Sequence, residues 1–400
     1  MRLTRCVALF AVAFVVFLGG CKTVRIPEPA RPPAKDYSRP LPPGSPALRK
    51  ITDPALMPDF RGDFALDRDE LLRALDESIK YLSYPSSTRY YPIQGITHAR
   101  AANSLIAFRD LYVSVHSGEE LHQKILGMFD VYESVGCDDR GTVLFTGYYT
   151  PIFEASLTPD SEYRWPLYAL PEDLAKGPEG ECLGRRLSDD TLVPYYTRAE
   201  IDEGALSGNE LVWLKDRFAA YVCTVQGSAR LRLPDGSWFR VGYAGNNGME
   251  YVSVGRLLVA DGLIPKDRLS LSGLMEFFAR NPEKMDAILT RNPRYVFFQR
   301  TEGEPTGSLG VPVTTRRSIA TDKSLFPRGC LAFVETKVPA ANGPGIRQEP
   351  FERFMLDQDT GGAIRAAGRC DIYLGIGDAA GRIAGYTMNE GKLFYLFLKE

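Results

Sequence analysis

From Arg294 onward the chain is written almost wholly in short strands. The runs Tyr295–Gln299, Val311–Thr314, Leu331–Val338, Phe351–Leu356, Asp371–Leu374 and Lys392–Leu398 are rich in β-branched and aromatic residues, with glycine-bearing turns between them. About six such strands in roughly 105 residues predict a small barrel and not a parallel α/β sheet. No GxGxxG or P-loop opens a helix after a strand, and no internal repeat is present.

The first part of the body reads differently. Asp67–Tyr81 is predicted helical, with Asp67 and Glu70 set as a capping box and Leu71, Leu72, Leu75, Ile79 and Leu82 on one face. Helices are also predicted over Thr97–Ser114 and Gly118–Ser134. A β run, Val143-Leu144-Phe145-Thr146-Gly147-Tyr148-Tyr149-Thr150, is closed by Pro151. Thr197 with Glu200 caps a short helix, and Ala229–Leu233 and Ser237–Val241 form a hairpin around Pro234-Asp235-Gly236. Helices recur at Leu274–Arg280 and Pro282–Leu289. The fold class expected is mainly β with N-terminal helices.

The first twenty residues are read as a targeting signal. Arg2 and Arg5 precede an apolar run from Val7 to Leu18, too short to span a bilayer comfortably. It ends Leu18-Gly19-Gly20-Cys21, which resembles a bacterial lipobox and makes Cys21 the expected lipidation site. Lys22 follows where an Asp would retain the product at the inner membrane, so the expected location is the outer membrane, facing the periplasm. Residues 21–57 carry nine prolines and no apolar period, and are read as a tether, the body starting near Pro58.

Composition narrows the chemistry. With 48 basic against 50 acidic residues and no basic run, nucleic-acid binding by phosphate neutralisation is excluded. The three histidines, His98, His116 and His122, are clustered and no C-x-x-C occurs, so no metal site and no cofactor are expected. Five cysteines lie beyond the signal, Cys137, Cys182, Cys223, Cys330 and Cys370, and the sequence does not give their pairing. The acids that stand out are Asp322, Asp359 and Asp371, framed by glycine, aliphatic and aromatic residues in one small β segment. Carboxyl groups in such company lose hydration and can hold a proton nearer neutrality, as a general acid must.

These segments also carry a resemblance. Phe145-Thr146-Gly147-Tyr148-Tyr149-Thr150-Pro151, Tyr196-Thr197-Arg198-Ala199-Glu200-Ile201, Gln226-Gly227-Ser228, Asn247-Gly248, Asn292-Pro293 with Phe297-Phe298, Arg317-Ser318-Ile319-Ala320 and Gln358-Asp359-Thr360-Gly361-Gly362-Ala363-Ile364 follow in order. With Gly375-Ile376-Gly377-Asp378 and Ala384-Gly385 they resemble the membrane-bound lytic murein transglycosylase A family, whose last part is the 3D domain, named for three aspartates. The resemblance implies a double-psi β-barrel from residues 58–150 and 300–400, the 3D domain being about 310–400. A smaller β domain, 151–299, would be inserted, with a groove between the two.

It further implies cleavage of the β-1,4 bond between N-acetylmuramic acid and N-acetylglucosamine without water, leaving a 1,6-anhydro end. Asp371 takes the position of the catalytic acid, and Asp359 and Asp322 those of supporting acids. Thr146, Tyr148, Tyr149, Gln226, Ser228, Gly361 and Gly362 are the expected groove residues. The expected partners are peptidoglycan glycan strands, the membrane through the lipid anchor, and a wall-synthesis protein complex. One departure stands out: Arg365-Ala366 replaces the expected Lys-Gly. Two rivals are weaker. Asp-Thr-Gly also opens aspartic protease turns, but those need a second Asp-Thr/Ser-Gly, which is missing. A non-catalytic glycan-binding lipoprotein would have no use for the acids.

Overall fold

The computed structural model describes residues 35–400 apart from 65, 179, 266, 267 and 341–346. Asp36–Glu400 forms one compact unit. Cys21 and the signal lie outside the described residues. Strands β1 (Leu48–Lys50), β2 (Phe129–Ser134), β3 (Val143–Thr150), β4 (Ile152–Ser156), β5 (Trp165–Tyr168), β6 (Leu174–Lys176), β7 (Cys182–Arg186), β8 (Leu192–Val193) and β9 (Glu210–Leu214) come first. Then follow β10 (Ser228–Arg232), β11 (Trp238–Asn246), β12 (Val296–Arg300), β13 (Ser318–Ala320), β14 (Leu331–Pro339), β15 (Gln348–Asp359), β16 (Arg369–Ile376) and β17 (Met388–Leu398).

Strand order β17-β14-β15-β13-β16-β3 closes on itself, because β3 also pairs with β17. This is a six-stranded double-psi barrel, with β1 and β2 added beside β17. A closed ring leaves no free edge among its own strands. Strands from Ile152 to Arg300 belong elsewhere: β12-β11-β10-β4-β9-β5 make a second sheet, and β6-β7-β8 a third. The barrel core, with Phe145, Phe333, Phe354, Leu356, Ile372 and Tyr395, also takes in the helices α1 (Arg68–Ser83), α2 (His98–Ser114) and α3 (Gly118–Met128). The insert has cores of its own, one of them built on Leu167, Val212, Leu231 and Phe298.

Several expectations need correction. Asp67 does not cap α1; it sits in the left-handed region at φ 47° and its carboxylate takes Arg353 at 2.7 Å instead. The helix expected to reach Ser134 stops at Met128. Phe129–Ser134 pairs with β17 from Phe129↔Leu398 to Glu133↔Phe394, and this long-range pairing overrides helical periodicity. Tyr295–Gln299 falls in the second sheet, and Val311–Thr314 makes only an isolated bridge, Pro312 to Thr306. From Asp36 the expected tether lies on the body: Tyr37 donates to Glu390 at 2.6 Å, Arg39 to the Cys137 carbonyl at 2.6 Å, and β1 pairs with β2. By contrast the Thr197–Glu200 capping box is formed, with the Thr197 amide 2.7 Å from Glu200.

The helix Gly377–Tyr386 lies on β3 at a point where there is no room for a side chain. A Cβ on Gly147 would meet Ala384 Cα at 2.7 Å and Leu374 Cδ1 at 2.5 Å. Gly147→Ala should therefore lower stability by about 1–3 kcal/mol, the usual cost of overpacking. Denaturant midpoints measure this; an unchanged midpoint would mean that the helix is not seated on β3.

Candidate active site

Two pairings of β13 bring the acids together. Ala320 is opposite Asp359 on β15 and opposite Asp371 on β16. The two aspartates thus stand at one level, two strands apart, with roughly 10 Å between their Cα atoms. On its other side β16 runs parallel to β3, placing Thr146 beside Asp371. The Thr146 hydroxyl donates to Asp371 Oδ1, and Arg369 lies 3.2 Å from that hydroxyl and 3.4 Å from the same Oδ1. The Asp371 side chain keeps 17% of its surface exposed, enough to meet a ligand.

Asp359 is held more firmly. The amides of Ser308 and Thr360 both donate to its Oδ1 at 2.8 Å. Burial nevertheless pushes its carboxyl above the ordinary range, against those donors. The Tyr148 phenol, raised well above its usual value by burial and then by the Asp359 charge, also feels Asp371. Its hydroxyl is buried beside the Asp359 carboxyl, with no hydrogen bond of good geometry among the described residues.

Asp322 is built into the frame. Its Oδ1 takes the Ser324 amide at 3.0 Å and hydroxyl at 2.6 Å, and its Oδ2 takes the Ala366 amide at 2.9 Å. Ala366 has φ 68°, which accounts for glycine being the residue expected there. Gly362 lies under Arg294 of the insert: a Cβ would come within 2.8 Å of Arg294 Nε. Gly361 precedes it in the same turn, close to Ile364.

The remaining expected groove residues divide. Tyr149 is in the barrel core, 6% exposed, so its ring does not line a groove. Only its backbone is relevant, donating to Gln226 Oε1 at 3.1 Å. Ser228 lies 3.2 Å from Thr150 Oγ1, which is 3.0 Å from the Tyr373 hydroxyl. Gln226 and Ser228 thus brace β3 where the chain leaves the barrel.

Sequence reasoning missed four features. Asp357 is fully buried, bonded to Lys323, to Thr321 at 2.7 Å and to Tyr395 at 2.7 Å, and Lys323 is lowered by burial. Arg317 is wholly buried against Asp63 at 2.9 and 2.7 Å. Tyr251 of the insert, raised by burial, feels the Asp371 charge across the groove. Arg369, two residues before Asp371 on the same face of β16, was passed over, although i, i+2 spacing in a strand is a usable signal. Cys370 is buried and its thiol is pushed well above its usual value by burial, so it offers no thiolate; Cys182, Cys223, Cys330 and Cys370 form no disulfide.

Comparison with known proteins settles the family. Residues 144–299 match the MltA specific insert domain and residues 317–397 the 3D domain. The membrane-bound lytic murein transglycosylase A of Vibrio cholerae is 33% identical over 270 residues, covering 66% of this chain and 68% of that protein. The chain belongs to the membrane-bound lytic murein transglycosylase A family. Its Escherichia coli K12 relative is 33% identical over 272 residues, covering 67% and 69% of the two chains. Among solved structures, the Agrobacterium tumefaciens membrane-bound lytic murein transglycosylase matches at TM-score 0.73 and 27% identity, over 88% of this chain and 98% of that one. The E. coli MltA structure with bound chitohexaose matches at TM-score 0.69 and 25% identity, over 93% and 100%. As a family member the chain is an enzyme, a peptidoglycan lytic transglycosylase.

Proposed function

We propose that the chain cleaves the β-1,4 bond between N-acetylmuramic acid and N-acetylglucosamine without water, with Asp371 moving both protons. Asp371 would protonate the glycosidic oxygen as the C1–O4 bond breaks. The resulting carboxylate would then take the proton of the muramic C6 hydroxyl as O6 closes onto C1, leaving the 1,6-anhydro ring. One carboxyl group serves both steps, so no second acid is needed at hydrolytic or nucleophilic distance. The observation that carries this reading is the placement of Asp371. It is part-exposed, with Oδ1 engaged by Thr146 and Arg369, while Asp359 is tied to two backbone amides. The chitohexaose bound by the E. coli relative supports a glycan in the groove.

Reducing-end analysis of digested sacculi tests the reaction. Anhydro ends are expected; free reducing ends would make the enzyme a hydrolase, and intact glycan with bound protein would make it an anchor. Outer-membrane attachment through Cys21, with the body in the periplasm and in reach of a wall-synthesis complex, belongs to the same proposal. Cys21→Ala should yield a soluble periplasmic enzyme of unchanged activity, and persistence in the outer-membrane fraction would overturn the anchor.

A further inference from the structure

We infer that Arg369 is a positioning residue for the proton transfer. With Thr146 it decides which oxygen of Asp371 carries the proton and how readily that proton leaves. This rests on Asp371 being the acid. Both donors converge on one atom: the Thr146 hydroxyl and the Arg369 guanidinium, at 3.4 Å, each reach Oδ1. Among the described residues no donor reaches Oδ2. A proton on Oδ1 would have to displace these donors, so it sits on Oδ2, the oxygen left for the substrate.

The burial of Arg369 shows what it is for. Its side chain is only 8% exposed, yet among the described residues its polar contacts are Thr146 and Asp371, and its Nε is buried with no partner there. Arg317, an arginine placed for structure, also has a buried Nε without a partner, but both of its terminal nitrogens are spent on the frame: Asp63, the Phe354 carbonyl and the Leu66 carbonyl. Arg369 instead turns its Nη2 to the Asp371 carboxyl group and to the hydroxyl that donates to it. The other titratable groups facing Asp371 are Tyr148 from β3, Tyr251 from the insert and the Cys370 thiol, all raised by burial and therefore neutral near pH 7. Arg369 is thus the one cation among the described residues in contact with the acid. It favours the carboxylate left after the leaving oxygen is protonated, which makes Asp371 a readier donor. When the proton returns from the C6 hydroxyl, the same charge restrains the base.

The test is the pH profile of anhydro-product formation for Arg369→Met, Arg369→Lys and Thr146→Val, with melting temperature and glycan binding measured alongside. With Arg369→Met the alkaline limit should rise by about one pH unit, because a neutral neighbour no longer favours the carboxylate. Turnover should fall roughly 10–100-fold, part of the 10²–10⁴ that acid–base help supplies, with KM little changed. Arg369→Lys should bring the alkaline limit back toward wild type, since it restores the charge without the fork. Thr146→Val leaves the buried cation in place and should move the limit upward by removing one Oδ1 donor, so it decides the matter should Arg369→Met not fold. A folded Arg369→Met enzyme with the wild-type alkaline limit overturns the inference, as do Lys and Met variants displaced equally, or a Thr146→Val enzyme whose limit does not move. Absence of anhydro product from the wild-type enzyme would instead overturn the reading of the reaction.

Discussion

Asp371→Asn is expected to fold, to bind glycan and to release no measurable anhydro product from sacculi. An amide keeps the shape and can still accept from Thr146, but it can neither donate a proton to the leaving oxygen nor take one from C6. Each half of that help is worth roughly 10²–10⁴ in rate, and one side chain supplies both. Asp359→Asn is the comparison that gives the result its meaning. Its two amide donors, Ser308 and Thr360, can be served equally by an amide oxygen, so geometry survives and activity should be weaker but detectable. Its stability should also differ in a defined direction. Burial raises the Asp359 carboxyl, so the folded chain holds that proton more tightly than the unfolded chain does. That contribution is full below the unfolded value near pH 4 and is lost as pH rises through the folded value. The wild type should therefore lose stability relative to Asp359→Asn as pH climbs from about 4 toward neutrality. If Asp359→Asn were dead and Asp371→Asn turned over, the two roles would be reversed.

The largest expected loss of stability is at Asp63. Its carboxylate answers a fully buried arginine: Arg317 contacts both of its oxygens, the Phe354 carbonyl at 3.0 Å and the Leu66 carbonyl. Asp63 also accepts the Phe354 amide at 3.1 Å, so the pair fastens the turn before α1 to β15. Asp63→Ala should cost about 3–5 kcal/mol, because the guanidinium would remain buried without its counter-charge. Replacing both partners with apolar residues should recover most of that loss, since the burial cost of both ions disappears with them. Calorimetric midpoints of the single and double variants measure it. A single variant melting within a degree of wild type would show that Arg317 finds another partner.

How far the sequence could be read follows the range of the interactions. Capping at Thr197, the hairpin around Pro234-Asp235-Gly236 and the β3 run depend on neighbours a few residues apart, and each is legible in a short window. Pairing of β2 with β17 depends on residues some 270 positions away, and nothing local in Phe129–Ser134 announces it. Thr146 and the aspartates were singled out by motif, but that Ala320 stands between Asp359 and Asp371 is a matter of register, which motifs do not carry. Tyr149 misled for a related reason: alternation along β3 sends Tyr148 and Tyr149 to opposite faces, and only the fold says which face is core. Asp357 with Lys323 and Asp63 with Arg317 look in sequence like ordinary surface charges, because burial is decided by what closes over them.

The ring has a consequence for when the enzyme comes into being. Thr146 and Asp371 are 225 residues apart, and the inserted strands fill most of that interval. By folding on themselves, the insert strands hold the two exit points, β4 and β12, three strands apart, about 14 Å, and so shorten the loop the barrel must close. The strand that completes the ring is β17, which pairs with β2, β14 and β3 and follows all of them in the chain. A nascent chain that has not yet added β17 already carries every acid of the site, but on an open sheet. Long-range closure of this kind is slow. The power to cut the wall is thereby withheld from a chain that has not yet added β17.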